Sequence, residues 1–192
     1  MRHAVPYYSQ HTHVSRADWK ERACTVTCLK MAIEYCTEKE TVSIDDLIDE
    51  GLLIGAHTQH GWDHAGIAIL AHNHGVAAYK EEFRAIEINI QTKEKSKSVH
   101  ENTLREYGCN KLISHLDQGG VAVVSVLRGM HKDGGFHSVL LIGYEKTGDA
   151  TTFIYHDPDA KFGSKSNMSI AKHDFLSLWR SMAIFFSKPS IV

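Results

Sequence analysis

The chain has 192 residues, of which 43% are hydrophobic and 23% charged, and only three are proline. That composition supplies one sizeable apolar core, excludes a linker-dominated or disordered chain, and predicts a single domain spanning 1–192. A formal charge of -2, with no stripe of Lys and Arg along any predicted helix, argues against a nucleic-acid partner. No apolar run approaches the ~18 residues of a membrane span. The segment "MRHAVPYYSQ" also lacks the basic and apolar regions of a secretion signal, so no membrane partner is expected and the cytoplasm is the expected location.

In chain order, "AVPYYSQ" is extended in character around Pro6, and "HTHVSRAD" reads as a polar loop. A helix begins at Cys24. Val26, Leu29, Ile33 and Cys36 recur at the spacing of one buried helical face, and the end falls near Glu38 to Glu40. "TVSIDDLIDEG" predicts a short second helix with Ser43 as N-cap, Asp46 three residues on and Gly51 past the end. "GWDHAGIAILAHNHG" predicts a third helix closed by Gly75, "VAAYKEEF" leads into a strand, and "QTKEKSKS" reads as a polar loop. "ENTLREYGCNKLISHLDQGG" predicts a fourth helix. Leu104, Leu112, Ile113 and Leu116 point inward, Gly108 is a weak point, and Gly119 and Gly120 stop it.

The second half changes character. "VAVVSVL", "FHSVLLIGYE", "TTFIYHD" and "MAIFFS" are β-branched and aromatic runs separated by turn residues, which predicts an antiparallel sheet. Helices first and strands afterwards imply an α+β fold, with an N-terminal helical half packed on a C-terminal sheet and a cleft between them.

Four cysteines, Cys24, Cys28, Cys36 and Cys109, occur in a chain without a visible secretion signal, and reduced thiols are expected. Cys24 stands at a helix start, where unpaired backbone N–H groups and the helix dipole stabilise a thiolate. A thiol nucleophile needs a base and a group that orients the base. His137 at the start of one predicted strand and Asp157 at the end of the next become neighbours if the two strands form a meander. Set against Cys24 they would complete a Cys–His–Asp triad, in which Cys24 attacks, His137 carries the proton and Asp157 fixes the imidazole. Gln10 is the only glutamine upstream of Cys24 and the candidate side-chain donor for an oxyanion.

These residues resemble the papain-like cysteine peptidases, specifically the double-glycine (bacteriocin-processing) branch and its soluble relatives. "VPYYSQ" is similar to the segment ending in the oxyanion glutamine, "ACTVTCLKMAIEY" to the nucleophile helix, "GGFHSVLLIGYE" to the histidine strand and "HDPD" to the aspartate turn. The resemblance spans roughly residues 4 to 160 in the order Gln, Cys, His, Asp, where each motif alone is weak. It implies a hydrolase that cleaves a peptide or related amide through a Cys24 thioester, without metal or organic cofactor, on a substrate with small residues such as glycine beside the scissile bond. The chain departs from the family in one place: Thr25 stands where glycine usually follows the nucleophile, and a β-branched residue there restricts the approach of a substrate carbonyl.

Other readings stand beside this one. Cys28, Cys36 and Cys109 read as core residues. Asp157 before Pro158 is also a turn-former. "RGMHKDGGF" is either a mobile loop at the cleft mouth, with Gly135 against the substrate, or an ordinary hairpin connection. Trp19 is either a substrate wall or a buried anchor. Among fourteen histidines, His60 and His64 at i, i+4 with His72 and His74 nearby raise a metal-binding alternative, although no zinc-type spacing occurs. The alternative function is therefore a non-catalytic module of the same fold, metal-loaded through this segment. A pseudoenzyme with an unreactive Cys24 is the third option.

Overall fold

The computed structural model describes residues 1–40, 42–130 and 135–188. Its helices are α1 (Cys24–Thr37), α2 (Ile44–Leu53), α3 (His64–Asn73), α4 (Glu101–Asp117) and α5 (Lys172–Leu178). Its strands are β1 (His57–Thr58), β2 (Gly61–Trp62), β3 (Ala77–Glu82), β4 (Ile86–Ile88), β5 (Lys95–Lys97), β6 (Val121–Leu127), β7 (Phe136–Thr147), β8 (Ala150–His156), β9 (Met168–Ala171) and β10 (Trp179–Ser187). Six strands form one antiparallel sheet in the order β3-β10-β6-β7-β8-β9. This is the α+β fold that the order of helical and strand patterns predicts.

Helices cover both faces of the sheet, which is why β6 and β7 read as apolar runs instead of alternating ones. Val121, Val123, Leu140 and Ile142 face the cluster built by α1, α2 and α3. Ala122, Val124, Val139 and Leu141 face Cys109, Leu112 and Leu116 of α4 and Phe175 of α5. Helix α1 lies at the centre of the first cluster and is buried almost all round. Leu29, Met31 and Ile33 are fully buried, each contributing about 1.5–3 kcal/mol of apolar transfer. Its two charged residues on the inside, Lys30 and Glu34, pair with each other at 2.6 Å, and Tyr8 donates to the same carboxylate at 2.6 Å.

Ser43 and Asp46 make the expected reciprocal cap at the start of α2, and Gly75 takes φ 77° just past α3, a conformation cheap only for glycine. Gly108 does not interrupt α4. A side chain there would run into Phe83 at 2.5 Å and Trp179 at 2.8 Å, so the glycine lets helix and rings approach closely. The "QTKEKSKS" stretch is not all loop: Lys95–Lys97 pairs with Ile86–Ile88 in a short two-stranded ribbon. Strand β10 enters the sheet between β3 and β6, far from its sequence neighbours.

Candidate active site

No side chain caps α1, whose N-cap residue is Ala23. The first-turn N–H groups, that of Cys24 among them, therefore keep their donor capacity. The half-buried Cys24 thiol sits at this tip. The tip is tied to β7 by a 2.8 Å hydrogen bond between the Thr25 and Ser138 hydroxyls, and by the Cys28 thiol donating to the Ser138 carbonyl at 3.7 Å.

His137 is the second residue of β7 and is 2% exposed. The register pairs Leu140 with His156, which brings the start of β7 beside the end of β8. The His137 Nε2–H accordingly donates to Asp157 Oδ1 at 2.7 Å. The same oxygen accepts the Asp159 N–H at 2.9 Å, and Lys165 Nζ donates to Oδ2 at 3.4 Å. Asp157 thus forms the turn around Pro158 and orients the imidazole at once. The remaining ring nitrogen, His137 Nδ1, is buried and makes no conventional hydrogen bond, which leaves it as the nitrogen through which the ring couples to the thiol.

Electrostatics follow this geometry. Burial pushes the Cys24 thiol up, but hydrogen bonding and charge attraction from His137, helped by Ser138 and Thr25, outweigh it and hold the pKa below the ordinary thiol value. Burial disfavours the His137 imidazolium, yet Asp157 and Cys24 stabilise it and raise its pKa to about 9. Burial raises Asp157 and the His137 contact more than offsets it, leaving the carboxyl below its usual range. The other three thiols shift the opposite way: burial drives Cys28 well up, Cys36 to about 12 and Cys109 to about 11. The arrangement favours a thiolate–imidazolium pair at Cys24 and inert thiols elsewhere.

A cavity of about 180 Å³ opens beside this pair, with Thr25, Trp62, His64 and Phe136 in its wall. Trp19 is not in the wall. Its indole is 7% exposed and sits against His57 at 4.9 Å and Trp62 at 5.8 Å, with the Arg22 guanidinium over its ring, so Trp19 anchors and Trp62 takes the place at the cavity. Gly135 is exposed and does not line the cavity; its carbonyl accepts the Arg128 N–H at 2.8 Å. The rest of the loop before it, 131–134, lies outside the described residues.

Gln10 is fully buried and does not line the cavity either. Its backbone N–H donates to the Pro158 carbonyl at 2.9 Å, and its Nε2 donates to the Lys20 carbonyl at 2.6 Å, on the segment leading into α1. The carbonyl of Lys20 fixes which way the amide points, since only an N–H can meet it. Gln10 Oε1 is left buried without a partner.

His60 and His64 both line the cavity, whereas His72 bonds the Ala78 carbonyl and His74 bonds Glu50. No group of three or more His, Cys, Asp or Glu among the described residues is placed to hold a metal ion. Among the described residues no helix is long and apolar enough to cross a membrane.

Comparison with known proteins is decisive for the family, because residues 2–184 match the model of the Peptidase C39-like family. The chain belongs to the Peptidase C39-like family. A C39-like protein from Bacillus anthracis superposes with TM-score 0.63 at 17% identity, over 97% of this chain and 96% of the other. The peptidase domain of ComA, a bifunctional ABC transporter of a Streptococcus quorum-sensing pathway, gives TM-score 0.56 at 18% identity, over 88% and 93%. A double-glycine-motif protease from an AMS/PCAT transporter, solved with a leader peptide, gives 0.54 at 15%, over 98% and 94%. At these identities the likeness establishes the fold. A sequence comparison with curated proteins gives no match.

Within this C39-like chain, several site residues escaped the sequence reading. Lys165 and Asp159 support Asp157, Ser138 receives Thr25, and Arg180 enters the cavity wall from β10. Asp159 had a readable signal, since Asp-Pro-Asp makes a side-chain-to-backbone turn two residues long. Lys165 had none, because no motif shows that the chain after Asp157 folds back onto it, and Arg180 had none because a long-range register places it.

Proposed function

We propose that this C39-like protein is a cysteine peptidase that cleaves a peptide bond through a Cys24 thioester. The observation that supports this most is the His137–Asp157 hydrogen bond at 2.7 Å beside a thiol held below its ordinary pKa. In this reading the Cys24 thiolate attacks the scissile carbonyl carbon. The developing oxyanion takes hydrogen bonds from the Cys24 backbone N–H and, once substrate binding turns the buried Gln10 amide toward the cavity, from the second N–H of Gln10 Nε2. Collapse of the tetrahedral species breaks the C–N bond as the His137 imidazolium protonates the leaving amine. His137, now neutral, takes a proton from water, which attacks the thioester and frees Cys24. Asp157 holds the ring in the required tautomer throughout. No metal or organic cofactor enters any of these steps.

The substrate is a peptide, by analogy with the leader peptide bound to one structural neighbour. Thr25 and its bond to Ser138 crowd the nucleophile and favour small residues beside the scissile bond. The four free cysteines suit a reducing compartment such as the cytoplasm, and the family match over 2–184 supports one peptidase domain.

The test is the pH dependence of alkylation by iodoacetamide, mapped to each cysteine. Cys24 is expected to react rapidly well below the free-thiol pKa of ~8.5 while Cys28, Cys36 and Cys109 do not, and His137→Ala is expected to remove that advantage. A Cys24 that behaves like its three neighbours would overturn the proposal and favour a non-catalytic module.

A further inference from the structure

Strand β10 breaks its register with β6 between Trp179 and Ala183, and inside this bulge Ser181 adopts φ 57°. A buried non-glycine residue in the left-handed region costs about 1–2 kcal/mol, and a bulge re-aims the side chains beside it. The side chain re-aimed here is Arg180, which joins the wall of the Cys24 cavity.

Its guanidinium is clamped in position. Nη1 donates to the Ser125 hydroxyl at 3.2 Å, and the guanidinium carbon lies 3.5 Å from the centre of the Phe136 ring, whose residue is 67% exposed at the cavity. What the clamp lacks is a counter-charge: among the described residues no carboxylate comes within ion-pair distance of Arg180. Glu82, the acid that acts on it, is engaged by Arg84 at 2.7 Å. The other arginines of the wall differ. Arg128 is matched by Glu21 and Asp159, and exposed Arg22 donates to the Asp18 carbonyl and lies over the Trp19 ring. A half-buried cation desolvated without a partner is destabilised, and burial together with Arg84 works against the Arg180 charge. A planar fork of five N–H donors, held flat by a ring and using one protein acceptor, is suited to a planar anion.

We propose that Arg180 is a specificity-determining residue of the Cys24 cavity, binding a carboxylate that the substrate carries close to its scissile bond. This rests on the cysteine peptidase reading above and sharpens it: the preferred peptide is acidic near the cleavage point, through either a side chain or a C-terminus.

Three iodoacetylated dipeptides test it, each losing iodide to the Cys24 thiolate. Glycyl-aspartate amide presents a side-chain carboxylate, glycylglycine presents a C-terminal carboxylate, and glycylglycine amide is neutral. One acidic probe is expected to alkylate Cys24 about five- to tenfold faster than the neutral one at low salt, and which of the two does so identifies the source of the carboxylate. The ratio is expected to fall within about twofold of unity in Arg180→Gln, to survive in part in Arg180→Lys, and to shrink with added salt in the wild-type protein. A wild-type ratio near one, or a ratio that Arg180→Gln leaves in place, overturns the carboxylate site alone. Failure of Cys24 to react with any of the three probes overturns the peptidase reading and this proposal with it.

Discussion

At one end of the β6–β7 pair, Val123, Val124, Leu140 and Leu141 are buried among aliphatic and aromatic neighbours. At the other end, Ser125, His137 and Ser138 are buried to nearly the same degree, at 5% exposure or less. The two ends share backbone pairing and solvent exclusion and differ only in what fills them. Burying a hydroxyl or an imidazole costs free energy unless a partner is supplied. All three line the cavity, and each has its partner: Ser125 takes Arg180, Ser138 takes Thr25 beside Cys24, and His137 is braced from behind by Asp157. Equal burial with unequal chemistry separates the part of the sheet that holds the molecule together from the part that lines the proposed active site.

Substitutions that act on one end alone would break or sharpen this contrast. In the largest expected effect, Cys24→Ala lowers kcat/KM on a cleaved peptide by at least about 10⁴-fold, as loss of a triad member does elsewhere, with the unfolding midpoint nearly unchanged. Leu140→Ala at the aliphatic end is expected to do the reverse. It costs about 2–5 kcal/mol in denaturant unfolding while Cys24 alkylation in the folded protein keeps its wild-type pH profile. Gln10→Ala is expected to lower kcat by about 10²–10³-fold, the range for one oxyanion donor. An unchanged kcat would restrict Gln10 to anchoring the Lys20 segment.

The smallest effect is a pH limb. With the His137 pKa raised to about 9, the imidazolium that protonates the leaving amine persists through neutral pH and is lost as pH rises through that value, so turnover declines on the alkaline side. Asp157→Asn removes the negative charge that favours the charged ring and moves the limb to lower pH. A limb that stays in place would show that Asp157 does not control His137.

Much of this was legible from residues close together in the chain. The capped second helix, the helix opening at Cys24 and the glycine stops around α3 and α4 follow from local backbone chemistry. The meander that brings His137 beside Asp157 follows from two apolar runs joined by a short turn. What was not legible depends on distant pairing. Gly108 reads as a weak helix position until Phe83 and Trp179 close on it. Trp19 reads equally well as wall or anchor, and only its packing against His57 and Trp62 decides. Arg180 carries no motif, and its role arises from a bulge that neither "LWRSMAIFF" nor β6 shows alone.

The insertion of β10 between β3 and β6 also sets an order of events during folding. Tyr79 pairs with Phe185 and Val123 with Ile184, so the middle of the sheet closes only after a segment about a hundred residues downstream of β3 has been recruited. Contacts of such separation slow folding because loop closure precedes any gain from them. Until then β3 and β6 each present an unpaired edge, the kind of surface that templates aggregation, and the cavity lacks its Arg180 wall. Ribosome-bound chains arrested before Trp179 should therefore need chaperone protection and bind no acidic peptide, while release of a few more residues completes barrier, edge and pocket together.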